Sequence, residues 1–80
     1  MSDTRERIVE VVMRTLNVDK SRVTDSARFV QDLGASSIQS IELVAAFEEE
    51  FDIEMDEEDA LGVKTVGAAV DFIQKVIDEG

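Results

Sequence analysis

The sequence predicts an all-α fold, a four-helix bundle with a long loop between helices 1 and 2 and a short third helix. Apolar residues recur at helical spacing in separate segments, and no stretch keeps the alternation of a strand for long. The chain also contains no proline, the strongest helix breaker. With 80 residues, it is expected to form a single domain over positions 1–80.

The first helix is expected from about Asp3 to Leu16. Asp3 is the predicted N-cap, because Glu6 follows it at the spacing of a capping box. The predicted core face consists of Ile8, Val11, Val12, Thr15 and Leu16.

A long connection follows, from Asn17 to Ser36. A loop of this length without structure is unusual in a compact domain. We therefore expect it to cross the bundle, held by its apolar residues. These anchors are Val18, Val23, Phe29 and Leu33.

The second helix is expected from about Ser37 to Glu50. Ser36 and Gln39 have capping-box spacing, which makes Ser36 the predicted N-cap and Ser37 the first helical residue. The predicted core face consists of Leu43, Val44, Phe47 and Phe51. The opposite side is predicted to hold Ile38, Ile41 and Ala45 beside Glu42, Glu48 and Glu49.

Two further helices are expected. The third is short, begins after a cap at Asp56 and ends near Leu61 and Gly62. The fourth begins after a cap at Thr65. Its predicted core face consists of Val66, Ala69, Val70, Ile73 and Ile77.

Negative charge is concentrated in the middle of the chain. The formal net charge is −11, and no Lys or Arg lies between Arg28 and Lys64. A field of this sign repels phosphate backbones, so nucleic acid is not an expected partner. It attracts basic protein surfaces, although a charge run alone is equally typical of a solvated surface.

The residue types argue against catalysis and against metal binding. The sequence has no Cys and no His, so it lacks a thiolate ligand and the usual base beside a serine nucleophile. An EF-hand loop that began at Asp52 would need Gly at its sixth position and Glu at its twelfth. Those positions hold Glu57 and Val63, so no calcium site is expected.

No apolar run approaches the roughly 20 residues of a membrane span. The first residues also lack the apolar core of a signal peptide. We therefore expect a cytoplasmic protein with no membrane span, and we expect a monomer.

The start of the second helix is the candidate functional site. Small residues lead up to Ser37, and a helix N-terminus presents unpaired N–H groups and the positive end of the helix dipole. An anion attached to the Ser37 hydroxyl would be stabilised there. From the segment Gly34-Ala35-Ser36-Ser37 alone, the simpler interpretation is that both serines only cap the helix.

The outward side of the second helix is a candidate docking surface. Ile38 and Ile41 form an apolar patch among acidic residues, and such a patch suits a partner with a basic rim. Coverage of Ile41 by another segment of the bundle is the alternative.

The segment Phe29-Val30-Gln31-Asp32-Leu33-Gly34-Ala35-Ser36-Ser37-Ile38 resembles the attachment segment of acyl carrier proteins. In that family an F-x-x-D-L-G lead-in precedes Asp-Ser-Leu. The resemblance covers nearly the whole chain. It continues through residues 41–44, 47–54, 64–67 and 69–73.

The resemblance implies a function as a non-catalytic carrier. A phosphopantetheinyl transferase would move the 4′-phosphopantetheine of coenzyme A onto Ser37, and the thiol of that arm would carry acyl groups as thioesters. The implied partners are this transferase and the acyl-loading ligases or synthases of fatty-acid, lipid or polyketide-type biosynthesis, whose basic patches would dock on the second helix. That docking role falls on Ile38, Ile41, Glu42, Glu48 and Glu49. An unmodified acidic interaction module of the same fold is the alternative.

Three positions near the attachment serine depart from the family pattern. Ser36 replaces the usual Asp, Ile38 the usual Leu, and Gln39 a residue that is often acidic in fatty-acid carriers. The residues next to Ser37 therefore carry less negative charge than in the family pattern. Our hypothesis is a specialised carrier that serves a dedicated ligase or synthase.

Overall fold

The computed structural model describes residues 3–79, and within that range the secondary structure is helical. Four α-helices follow one another along the chain: α1 (Asp3–Leu16), α2 (Ser37–Phe51), α3 (Glu57–Leu61) and α4 (Val66–Glu79). The all-α prediction is confirmed, as are the long first loop and the short third helix. None of the helices in residues 3–79 has the length and apolar character needed to cross a membrane.

Helix α1 contributes the most deeply buried part of the core. Ile8 and Val12 are completely buried, and α1 packs against both α2 and α4. Burial of one such side chain contributes roughly 1.5–3 kcal/mol. Asp3 already belongs to the helix, so the prediction that it is the N-cap is wrong, and its charge instead lies in the first turn, where it favours the helix dipole.

Helix α4 buries the predicted face except at its end. Its buried residues stop at Ile73, and Ile77 is 36% exposed. The prediction that Ile77 belongs to the core is therefore wrong, because the last turn of α4 extends past the buried part of the bundle. The other predicted core positions of this helix are confirmed. They are Val66, Ala69, Val70 and Ile73.

The connection between α1 and α2 is ordered by apolar anchors. Val23, Phe29 and Leu33 are buried, and Val18 is half-buried against the core, as predicted. The connection also contains a 3₁₀ turn at Lys20–Arg22 that the sequence analysis did not predict. The segment therefore crosses the bundle as part of the packed structure.

The same connection caps the start of α4. The N–H of Val66 donates to the carbonyl of Ala27 at 3.0 Å, and the N–H of Gly67 donates to the carbonyl of Asp25 at 2.9 Å. Thr65 is the predicted cap and accepts from the N–H of the residue three positions on at 3.2 Å. A Cβ at Gly67 would lie 3.0 Å from the Asp25 carbonyl oxygen, so glycine permits this close approach.

Helix α2 runs one residue further than predicted and ends at Phe51. Asp52 follows in the left-handed conformation, with φ of 53°. The end of α2 is fastened to α1 by Arg7, whose Nε donates to the Glu50 carboxylate at 2.9 Å and whose guanidinium also donates to the Glu50 carbonyl. The same guanidinium lies 4.4 Å from the centre of the Phe51 ring. One side chain thus satisfies a terminal carbonyl and joins two helices.

Helix α3 has the predicted ends. The N–H of Asp59 donates to the carboxylate of Asp56 at 3.2 Å, which confirms Asp56 as the cap. Gly62 ends the helix with φ of −77°, a conformation open to any residue. None of the five residues of α3 is buried. The helix is therefore a surface element beside α2.

Candidate functional site

A compact turn delivers the chain to the start of α2. The N–H of Leu33 donates to the carbonyl of Arg28 at 3.0 Å, and the N–H of Ala35 donates to the carbonyl of Phe29 at 2.8 Å. Phe29, Leu33 and Ala35 are buried, and Gly34 between them has φ of 73°, which glycine adopts without strain. The turn is anchored on its inner side, so the residues that follow it lie on the surface.

Asp32 holds this turn together from its side chain. Its carboxylate accepts from Nε of Arg28 at 3.2 Å and from the backbone N–H of Arg28 at 2.8 Å. The hydrogen bond from the Arg28 guanidinium, followed by that from the backbone N–H, lowers the pKa of Asp32. The same side-chain contact raises the pKa of Arg28. Arg22 adds a hydrogen bond to the Asp32 carbonyl at 2.7 Å.

Ser36 caps α2 through a reciprocal pair of hydrogen bonds. The N–H of Gln39 donates to Oγ of Ser36 at 3.1 Å, and the N–H of Ser36 donates to Oε1 of Gln39 at 3.0 Å. The predicted capping box is confirmed. The Ser36 hydroxyl is therefore engaged in holding the helix end.

Ser37 is the first residue of α2 and is exposed. Within residues 3–79, no group forms a hydrogen bond with its hydroxyl. The N–H groups of Ser37 and Ile38 have no carbonyl one turn earlier in the helix with which to pair. The geometry combines an accessible hydroxyl with N–H groups and a dipole that favour an anion.

The outward side of α2 presents most of the residues predicted to dock partners. Ile38 is 72% exposed and Ile41 is 50% exposed, so no segment of residues 3–79 covers Ile41. Glu42 and Glu49 are exposed beside them, together with Ala45. The structure thus places an apolar patch and two carboxylates on one accessible surface.

Glu48 lies at the edge of that surface. It is half-buried, and its Oε2 accepts a hydrogen bond from the backbone N–H of Met55 at 2.8 Å. Because successive residues are about 100° apart around a helix, Ser37, Ile41, Val44 and Glu48 lie on one side of α2. Helical spacing therefore keeps Glu48 next to Ile41, and the hydrogen bond to Met55, which the sequence pattern does not predict, is what distinguishes it from Glu49.

An apolar cavity of about 90 Å³ lies beside the same side of α2. Val44 and Ser40 contribute to it from α2, and Ser40 is one turn along the helix from Ser37. Nothing in the sequence pattern predicted this cavity, because its walls come from α2, α3, α4 and the three connections between helices. The other walls include Phe29, Met55, Leu61, Phe72 and Ile73.

Comparison with known proteins adds to this geometry. A family model described as a phosphopantetheine attachment site matches residues 6–73. A curated acyl carrier protein from Phenylobacterium zucineum (strain HLK1) is 51% identical over 75 residues, which is 94% of this chain and 95% of that protein. The chain belongs to the acyl carrier protein family. The resemblance to this family is thereby confirmed, and membership implies a covalently attached 4′-phosphopantetheine group.

The start of α2 fits this prosthetic group. Its attachment requires a hydroxyl that an enzyme can reach, and the Ser37 hydroxyl is exposed and without a partner in residues 3–79. The position of a Cβ at Gly34 has no atom within 4 Å, so the surface just before the serine is open. Acyl carrier proteins work with phosphopantetheinyl transferases and biosynthetic enzymes, and the accessible patch at Ile38 and Ile41 is available for such contacts.

Proposed function

We propose that this chain, as a single carrier domain, carries acyl groups as thioesters on a 4′-phosphopantetheine arm attached to Ser37. The observation that supports this site is the difference between two adjacent serines. Both are exposed, but the Ser36 hydroxyl accepts a hydrogen bond within the capping box, whereas the Ser37 hydroxyl forms none within residues 3–79. A transferase would therefore find the Ser36 hydroxyl already hydrogen-bonded and the Ser37 hydroxyl available to react.

In the loading step, Oγ of Ser37 forms a bond to the phosphorus that joins the pantetheine arm to coenzyme A. The P–O bond to the departing nucleotide breaks, and the serine proton passes to a base of the transferase. The resulting phosphodiester is an anion, and the N–H groups of Ser37 and Ile38 and the helix dipole stabilise it. The arm supplies the thiol, which this chain lacks because it contains no cysteine.

The chain contributes by presenting its cargo rather than by catalysis. The partners are a phosphopantetheinyl transferase and the loading and synthase enzymes of a fatty-acid, lipid or polyketide-type pathway. They would dock on the exposed apolar patch at Ile38 and Ile41, with basic residues facing Glu42 and Glu49. Such pairing speeds encounter and orients the partner more than it adds affinity.

The cavity beside α2 is the proposed site for the part of the acyl group nearest the arm. Its walls are mostly apolar, and Ser40 in its lining lies one turn from Ser37. Its volume of about 90 Å³ is well below the roughly 300–1,000 Å³ of drug-sized pockets. Only a short acyl segment therefore enters without movement of the walls.

Intact-mass spectrometry tests the attachment site. The parent chain, Ser37→Ala and Ser36→Ala are each incubated with coenzyme A and a broad-specificity phosphopantetheinyl transferase. We expect the parent and Ser36→Ala to gain the mass of one phosphopantetheine, because the hydroxyl that reacts is that of Ser37. The Ser37→Ala variant should gain none.

A gain in Ser37→Ala would place the attachment elsewhere. Absence of a gain in all three chains would favour the alternative function, an unmodified acidic interaction module. Circular dichroism of Ser36→Ala serves as a control for helix α2, because loss of an N-cap costs about 1 kcal/mol.

A further inference from the structure

Glu48 is bonded to the segment that follows α2 at three points. Its backbone carbonyl accepts from the N–H groups of Asp52 and Ile53, the latter at 3.0 Å. Its carboxylate reaches further and accepts from the N–H of Met55 at 2.8 Å, in a partly buried position. The side chain thus fixes the backbone of Met55 at a set distance from α2.

Met55 occupies a critical position for the cavity. Its side chain is one of the cavity walls, and the next residue, Asp56, is the cap of α3. Helix α3 has no buried residue, and the flanking Ile53, Met55 and Val63 are only partly buried against the core. The hydrogen bond to Glu48 therefore acts together with this partial packing to restrain the wall of the cavity and the start of α3.

Glu49 provides the contrast on the same helix. Its side chain is exposed, and no hydrogen bond or ion pair within residues 3–79 involves it. The two neighbouring carboxylates have the same charge, but only one of them is tied to the cavity wall.

We propose that Glu48 is a positioning residue that holds Met55 against α2 and thereby limits the length of acyl chain that the cavity accepts. This inference rests on the proposed function only in taking the cavity as the cargo site. A hydrogen bond to a charged, partly buried acceptor is stronger than one between neutral groups. Loss of the hydrogen bond between Glu48 and the Met55 N–H releases the Met55 backbone. The α3 side of the cavity can then move outward.

The first test is amide hydrogen exchange of the unloaded 80-residue chain, measured by NMR for Glu48→Ala, Glu48→Gln and Glu49→Ala. Because a hydrogen bond to a charged group is worth about 1.5–3 kcal/mol, exchange at Met55 should be roughly tenfold faster or more in Glu48→Ala. Glu48→Gln keeps an acceptor oxygen and should largely restore protection. Glu49→Ala removes the same charge and should leave Met55 exchange unchanged.

The second test uses the loaded chain with acyl groups of increasing length, and it records the NMR signals of Ile73 in the cavity wall. The longest acyl group that still shifts these signals should be longer in Glu48→Ala than in the parent. Glu48→Gln should behave like the parent. An unchanged Met55 exchange rate in Glu48→Ala, or an equal change in Glu49→Ala, would overturn the positioning role. The same length preference in all variants would overturn the control of chain length. Neither result bears on the attachment at Ser37, which the mass measurement decides separately.

Discussion

Ser36 and Ser37 are chemically identical neighbours to which the backbone assigns different roles. Ser36 precedes the helix, so its Oγ reaches the N–H of Gln39 and closes the capping box. Ser37 is already helical, its side chain is exposed, and its hydroxyl forms no hydrogen bond within residues 3–79. A difference of one residue in the chain therefore separates a structural hydroxyl from the one that we propose is modified.

The first prediction at this scale concerns the uncharged residue before the attachment serine. Asp caps a helix about as well as Ser, so Ser36→Asp should keep α2 intact while it adds a negative charge next to Ser37. If a housekeeping transferase uses that charge for encounter, its kcat/KM for loading should rise roughly two- to tenfold at low ionic strength.

The matched control is Ser36→Asn, an equally good cap without charge. Its loading rate should stay close to that of the parent chain. Equal rates for the parent, Ser36→Asp and Ser36→Asn would contradict the hypothesis that this chain is a specialised carrier with an altered approach to its serine.

At the scale of elements, the connection between α1 and α2 is as important to the packing of the bundle as the helices are. It supplies buried anchors to the core, caps α4 with the carbonyls of Asp25 and Ala27, and forms the turn that delivers Ser37. Because one segment performs all three roles, a change in its turn is expected to affect both α2 and α4.

The second prediction concerns the charge that stabilises this turn. The pKa of Asp32 is lowered in the folded protein, so its carboxylate contributes stability above its ordinary pKa of about 3.9, and that stability is lost as the pH falls through the lower folded value. Asp32→Asn should therefore lower the melting temperature at neutral pH. The difference from the parent should shrink below about pH 4 and vanish at lower pH.

Thermal unfolding followed by circular dichroism across this pH range measures the effect. The control is Asp71→Asn on the exposed side of α4, where no hydrogen bond or ion pair within residues 3–79 involves the side chain. A difference between the parent and Asp32→Asn that stays constant from neutral to acidic pH would contradict the assigned role of the carboxylate.

At the scale of the whole molecule, the excess of negative charge opposes folding. The chain has a net charge of −11, and its Cα atoms have a radius of gyration of only 11.3 Å. The Debye length at 0.1 M ionic strength is about 10 Å, comparable with this radius, so salt screens repulsion across the molecule. The same field that attracts basic partners therefore destabilises the isolated chain.

The third prediction follows from this repulsion. The melting temperature should rise by roughly 5 °C or more between low salt and 0.5 M sodium chloride, with a similar rise at lower concentrations of magnesium. Differential scanning calorimetry measures it. The double variant Glu49→Gln/Glu54→Gln, at exposed positions that form no ion pair within residues 3–79, should melt higher at low salt and depend less on salt. A melting temperature independent of salt in the parent would contradict this account.

Local sequence patterns predict the four helices, three of their caps and most of the core. Periodicity and capping are local properties, so Ser36, Asp56 and Thr65 were recognisable as caps from residues within one turn of them. The attachment segment was likewise readable, because it is continuous in the chain.

The contacts between distant side chains depend on the packing of the whole molecule. It separated Glu48 from Glu49, exposed Ile77 beyond the core, joined the first loop to α4 and formed the cavity. Each of these depends on residues that are distant in the chain or on where an element ends relative to its neighbours. Local patterns constrain the face that a helix buries, whereas packing determines what that face contacts.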